Sequence, residues 1–275
     1  MPTDSNILFS IDLEDHTGGY SAGARYIDNA RRYLDFLEEQ KLAATFFTVG
    51  RVAVQAPGLI REIARRGHEI ACHSQDHTPL TQQDRTAFKR ATAEAKDILE
   101  QASGQAVLGY RAPIFSLTPK SPWAAEVLTG LNFTYSSSIL PGRNPLHGFP
   151  GAPMLPFAWP SGLVELPVVL GGWGPVRLPF LGGFYLRYLP LAFIRHSLRQ
   201  LPAGAIPWTY IHPYDIDSTE KNWKIDGAAN WVSLLLWLNR RRTFARLQAL
   251  RPLMNGVTFA EAAGALQDLP TWPSA

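Results

Sequence analysis

The feature that most limits the fold is an alternation of short apolar runs with longer segments of helical periodicity along the N-terminal part of the chain. Residues 7–11 read as a buried strand, short, apolar and ended by acidic side chains. Residues 24–40 place Tyr26, Ala30, Tyr33, Leu34 and Leu37 on one face of a helix. A second strand is predicted over 44–49 and a second helix over 57–66, which Gly67 would stop. A third strand follows at 69–72. Residues 81–103 predict a long helix with Thr81 as N-cap and Gly104 just past its end, and 107–110 a fourth strand. This βαβα rhythm predicts an α/β protein whose parallel sheet is closed or covered by helices.

Residues 140–190 break the rhythm, being dense in Pro, Gly and aromatics with GGW and GGF triplets. They read as long loops over the sheet, so residues 1–275 are expected to form a single domain. Regular structure is predicted again as a helix at 189–200, a strand at 206–211, a helix over 228–250 and a last one at 258–266.

The chain of 275 residues is long enough to bury a large core, and 46% hydrophobic against 18% charged residues marks a folded protein. A net charge of +3 makes no case for nucleic acid, though a mildly basic surface suits an anionic glycan or a membrane. Cys72 is the only cysteine, which excludes an intrachain disulfide framework and a cysteine-built zinc cage. The N-terminus lacks a basic region followed by an apolar run, so a cytoplasmic location is the expectation. No run approaches the roughly 18 apolar residues of a membrane span. Residues 231–238 come nearest and stop at Asn239 and the basic 240–242. This stretch could rest on a membrane surface as a peripheral contact and meet a lipid-linked glycan, but a buried helix ending in a basic turn is the preferred reading.

Polar clusters follow four of the predicted strands: Asp12-Leu13-Glu14-Asp15, His73-Ser74-Gln75-Asp76-His77, Arg111-Ala112-Pro113 and His212-Pro213. In barrel-like α/β folds the C-terminal strand ends are where active sites are built. His73 and His77, four apart, would share one face of a helical turn and could hold one ion. A lone pair of this kind as often lines a loop. The carboxylates of Asp12, Glu14 and Asp15 shift that balance, because three acids in four residues repel unless a cation relieves them. Alone, Arg111 would be a structural ion pair and His212 a satisfied core histidine.

These segments resemble the ordered motifs of the polysaccharide deacetylase family (NodB-homology, carbohydrate esterase family 4). Ser10-Ile11-Asp12-Leu13-Glu14-Asp15 is similar to a variant of the first motif. Ala44-Thr45-Phe46-Phe47-Thr48-Val49-Gly50 resembles the second strand, and Gly67-His68-Glu69-Ile70 with His73 to His77 the metal-binding segment. Gly109-Tyr110-Arg111-Ala112-Pro113 and Tyr210-Ile211-His212-Pro213 resemble the arginine and final histidine motifs. The variant first motif and the segment from Gly182 to Pro190 look most like deacetylases of bacterial exopolysaccharide gene clusters. Ser136 stands where the family often has an aspartate, which leaves Asp12 as the expected partner of Arg111.

The resemblance implies a distorted (β/α) barrel of about seven parallel strands and a metal-dependent hydrolase that removes N-acetyl groups from sugars of a bacterial polysaccharide or its precursor. It implies one divalent ion, zinc first and cobalt, nickel or iron as alternatives, on Asp15, His73 and His77. Glu14 competes with Asp15 for the third place, and Asp15 is preferred. Asp12 would be the general base, Arg111 its partner and His212 the acid, with backbone N–H groups after Pro113 aiding the oxyanion. Pro113, Tyr135 and Trp173 are the expected substrate contacts, within a wall of Phe149, Phe157, Trp159, Phe184 and Tyr185. The rivals are hydrolysis of a cyclic ureide or imide on the same barrel and a glycan-binding module without catalysis.

Overall fold

The structure, a computed structural model, describes residues 6–20, 24–142, 147–173, 177–221 and 230–273. Strands β1 (Ser10–Leu13), β2 (Thr45–Thr48), β3 (Glu69–Cys72), β4 (Gly109–Tyr110) and β5 (Tyr135–Ser136) lie side by side and parallel. Next come β7 (Val164–Glu165), parallel to β5, and β6 (Phe157–Ala158), antiparallel on the edge of this seven-stranded sheet. On the other side of β1 runs the segment 207–211. The Leu8 N–H donates to the Pro207 carbonyl at 2.9 Å, and the Asp12 N–H to the Ile211 carbonyl at 2.8 Å. β1 is therefore flanked on both sides, which is why all four of its residues are buried.

Strand alternation separates two cores. In β2, Phe46 points outward to the helices and Phe47 inward, and both are fully buried. Each such ring contributes on the order of 1.5–3 kcal/mol by leaving water. The inner set joins Phe47 to Ala71, Tyr135, Trp208 and Phe259. The outer set takes Tyr26, Ala30, Tyr33, Leu34 and Leu37 from α1 (Arg25–Gln40), as its periodicity predicts.

Helices α2 (Gly50–Gln55) and α3 (Pro57–Arg65) follow β2, and α4 (Arg85–Ser103) follows β3. The α4 N-cap is Asp84 rather than Thr81: its carboxylate accepts the Ala87 N–H at 2.8 Å, while Leu80–Gln82 form a separate 3-10 turn. Gly104 ends α4 at φ 71°, as expected of a left-handed C-cap. Helix α5 (Trp123–Gly130) precedes β5.

The region expected to be loops holds β6 and β7, which join the main sheet. It also holds the antiparallel pair β8 (Leu170–Gly171) and β9 (Leu178–Pro179), and the helix α6 (Gly183–Tyr188). α7 (Leu191–Arg199) follows. The long helix predicted from 228 starts outside the described residues. It divides into α8 (Asn230–Trp237), a 3-10 turn at Arg240–Arg242 and α9 (Thr243–Leu250), broken where Asn239 turns left-handed at φ 62°. In α10 (Phe259–Gly264), capped by Thr258 and Glu261, Phe259 packs on Phe47, Trp208 and Tyr135 and plugs the N-terminal end of the barrel. The opposite end stays open. Among the described residues no helix is long and apolar enough to cross a membrane.

Candidate metal and acid–base site

At that open end a cleft of about 790 Å³ is lined by Asp12, Glu14, His73, His77, Tyr185 and His212 among others. Each polar side chain arrives on a different part of the sheet. Ser10, Asp12 and Glu14 follow the two-residue alternation at the end of β1, His73 follows β3, Arg111 follows β4, and His212 ends the segment beside β1.

Glu14, His73 and His77 each offer a ligand atom, all within 4.8 Å of one another. The expected Asp15 is not in this group. Its Oδ1 accepts the Thr17 N–H at 3.0 Å and hydroxyl at 2.7 Å, and its Oδ2 accepts the Tyr20 N–H at 2.8 Å. Asp15 is spent pinning the turn after β1, and alternation sends Glu14, not Asp15, to the side of Asp12. The histidines also meet differently from the helical turn the sequence suggests. Residues 73–77 are a loop with Ser74 and His77 left-handed at φ 67° and 62°, and the rings lie 5.0 Å apart. The Ser74 hydroxyl holds this loop by accepting the His77 N–H at 2.9 Å.

The donor set fits a divalent ion. The His73 Nδ1–H donates to the Arg111 carbonyl at 2.8 Å, which leaves Nε2 for a metal. Burial pushes the His73 imidazole down to about 4, the neutral form a ligand needs. Glu14 is held well below the usual carboxylate range: burial opposes this, and the charge and hydrogen bond of His77, Nε2 to Oε2 at 2.6 Å, outweigh it. Two imidazoles and one carboxylate, with room beside them in the cleft, are the ligand pattern of catalytic rather than closed structural sites.

Asp12 is 4% exposed and hydrogen-bonded to the fully buried Arg111 through Oδ1, with Nη1 at 2.5 Å. The other guanidinium contacts are to neutral groups. Nη1 reaches the Ser10 hydroxyl at 3.0 Å and Nη2 that of Ser137 at 3.2 Å, while the cation lies over Phe47 at 3.7 Å and Trp208 at 4.4 Å. With Ser136 in place of an acid, Asp12 is the one carboxylate partner of Arg111 among the described residues. Burial lowers the Arg111 pKa and Asp12 raises it.

His212 faces this pair with Nε2 at 3.9 Å from both Asp12 Oδ2 and Glu14 Oε1. Behind it stands Asp215, fully buried. Its Oδ2 accepts the His212 N–H at 2.8 Å and lies 3.2 Å from Nδ1. Burial alone would lower the His212 pKa, but the Asp215 hydrogen bond and the charges of Glu14, Asp215 and Asp12 raise it to about 9. Asp215 Oδ1 in turn pairs with the fully buried Arg187 at 3.2 Å. Burial raises Asp215, yet Arg187 and His212 hold it below its ordinary value. A Cβ at Gly183 would come within 1.8 Å of Asp215 Oδ2, so the GGF triplet leaves room for this carboxylate. Sequence reasoning missed Asp215 and Arg187. The signal for Asp215 was a capping-box spacing after His212, at the third position of the 3-10 turn Pro213–Ile216.

The expected substrate contacts fare unevenly. Pro113 is buried, while its neighbours Ala112, Ile114 and Phe115 line the cleft. Tyr135 is fully enclosed in the barrel and donates to Glu69 at 2.8 Å, because alternation on β5 turns it inward far from the opening. Trp173 is 61% exposed, packs on Phe193 and His196, and is not among the residues lining the cleft. Of the aromatic wall, Tyr185 lines the cleft. Phe149, Phe157 and Trp159 are buried against Trp272.

Residues 21–133 match the family described as polysaccharide deacetylase, and residues 137–267 a domain of unknown function, DUF3473. A chitooligosaccharide deacetylase of Sinorhizobium fredii is 35% identical over 97 residues, 35% of this chain and 42% of that protein. The chain thus spans less than half the length of the curated relatives it matches first. Among solved structures, an assigned polysaccharide deacetylase from Mycobacterium smegmatis matches with a TM-score of 0.60 and 22% identity, over 99% of this chain and 87% of that one. An allantoinase matches with a TM-score of 0.60 at 15% identity, over 96% and 91% of the two chains. At such identities the two structures establish the fold alone.

Proposed function

We propose, for a chain that belongs to the polysaccharide deacetylase family, that it is a metal-dependent hydrolase removing N-acetyl groups from a bacterial polysaccharide or its precursor. The observation that carries this reading is one cleft holding three elements together: the Glu14–His73–His77 ligand set, Asp12 fixed by Arg111, and His212 fixed by Asp215. A divalent ion on Glu14, His73 and His77, zinc or a related metal, would supply Lewis-acid polarisation of the acetyl carbonyl and acidify water.

The residues of the chain do the rest. Asp12 takes the proton of the attacking water, and Arg111 keeps its carboxylate aimed. The C–N bond breaks as His212 gives its proton to the departing amine, so acetate and a free amino sugar result. His212 suits an acid because Asp215 and the nearby carboxylates keep it protonated at neutral pH. Of the amides after Pro113, Phe115 donates to Ala112 and Ser116 to Pro113, which supports assigning the oxyanion role to the amide of Ile114, left-handed at φ 54° and on the cleft wall.

The test compares acetate release from N-acetylglucosamine oligomers and crude exopolysaccharide with ring opening of a cyclic ureide. Release from glycan that disappears in His73→Ala supports the reading. Turnover of the ureide alone would replace it with the rival chemistry. Glycan binding without turnover, in protein shown to hold metal, would leave a binding module.

A further inference from the structure

The helix α8, sequence NWVSLLLW, presents Trp231 at 65% and Leu234 at 42% exposure, three residues apart on one face. The last three residues of the helix are tied down. The Leu235 carbonyl accepts the Tyr188 hydroxyl at 2.5 Å, the Leu236 carbonyl accepts Arg187 Nη1 at 2.8 Å, and Trp237 Nε1 donates to the Glu220 carbonyl at 2.8 Å. The exposed Trp231 ring and Leu234 side chain therefore belong to an anchored element. Its end is basic in a divided way: Arg240 is buried against Glu220, whereas Arg241 and Arg242 are exposed. The same helix borders the cleft, where Leu236 is one of the lining residues. The sequence expectation of a buried helix ending in a basic turn accounts for Arg240 and for the inner face, and leaves the outer face unexplained.

Exposed tryptophan and leucine on a helix, with exposed arginines in the turn that follows it, are what an element lying in the headgroup layer of an anionic bilayer presents. On such a surface the cations would complement the lipid charge and the apolar face would enter the acyl boundary. We propose that α8, with Arg241 and Arg242, docks the protein on an anionic lipid bilayer and sets the mouth of the cleft against it, so that the acceptor is a glycan carried on a lipid. The docking stands on the surface alone, while the assignment of the acceptor rests on the deacetylase reading.

The test uses the full chain with vesicles of phosphatidylcholine alone and of phosphatidylcholine with phosphatidylglycerol. Wild type is expected to sediment with the anionic vesicles, less so as salt rises. Trp231→Ser/Leu234→Ser and Arg241→Glu/Arg242→Glu should each bind at least tenfold more weakly. Both double variants should keep wild-type acetate release from a soluble N-acetylglucosamine oligomer and lose at least tenfold on an N-acetylglucosaminyl lipid in anionic vesicles. Wild type that ignores anionic vesicles, or variants that bind like wild type, would overturn the docking. So would a wild-type dimer in sedimentation velocity that Trp231→Ser/Leu234→Ser dissolves, since the face would then belong to a second copy. Vesicle binding is read without turnover, so failure of the deacetylase reading would show only in the two acetate assays.

Discussion

Asp215→Asn isolates the support behind the proposed acid. Asp215 binds His212 through its backbone N–H and ring and balances Arg187, with both charges out of water. At 3.2 Å and an effective dielectric of 20 the Coulomb attraction of that ion pair is about 5 kcal/mol. Removing one partner of a buried pair costs roughly 3–5 kcal/mol, because the other charge is left unpaired. At this chain length that is a fall in melting temperature of roughly 10 °C. The catalytic effect is separate. A positioned acid is worth about 10²–10⁴ in rate, so kcat is expected to fall by about 10²-fold when His212 loses its orientation and its anion.

The pH profile gives the sharper signature. His212 must be protonated to act, and its pKa is raised to about 9, so wild-type acetate release holds through neutral pH and declines on the alkaline side. A metal ion sharing the Glu14 charge would place that decline at or below 9. Without Asp215 the largest raising influence is gone, and the alkaline decline must begin at lower pH. The assay is acetate release against pH, well below the variant's melting temperature, with metal content measured alongside. A variant with wild-type metal, kcat within threefold of wild type and an unmoved alkaline limb would refute the role given to Asp215.

The other predictions concern the ligands and stability. Glu14→Gln should lose most of its bound metal and its activity. Asp15→Asn should keep its metal while the turn to Tyr20 loosens, seen as a lower unfolding midpoint; elemental analysis and thermal melts decide, and the reverse pattern would restore Asp15 as the ligand. His68 is 4% exposed, its Nδ1 has no hydrogen-bond partner among the described residues, and burial, aided by Arg66, pushes its pKa down to about 4. The unfolded chain, at about 6.5, takes up this proton first. Stability should therefore be full above 6.5 and fall by about 3 kcal/mol as pH drops toward 4. Urea unfolding at both ends of that window should show a shallower loss in His68→Phe, and an unchanged slope would contradict the assignment.

The parts of the fold legible in sequence are those where burial imposes a period. The first four strands are short apolar runs, α1, α3 and α4 carry one-sided helical patterns, and Gly67 and Gly104 mark the stops of α3 and α4. Short elements were hidden. α2 spans two turns, and β5 to β9 are two residues each, held by register with neighbours rather than by local preference. The site was half legible for the same reason. His73, His77, Asp12, Arg111 and His212 follow strands, and the sheet brings their ends together. Choosing Glu14 over Asp15 needed the alternation of β1 carried two residues past its end. Tyr135 was expected as a substrate contact because nothing local says which face of β5 is inside the barrel. Arg187 and Asp215 lie far apart in the chain and meet only once α6 packs behind His212.

The central claim is that Glu14, His73 and His77 hold one divalent ion on which deacetylation depends. It is tested most directly by stripping the protein with chelator and restoring zinc or cobalt stepwise, while bound metal and acetate release are followed together. The account predicts one ion per chain, activity rising in proportion to occupancy, and neither in Glu14→Gln. Full acetate release from metal-free protein, or stoichiometric binding that leaves Glu14→Gln as occupied and active as wild type, would contradict it.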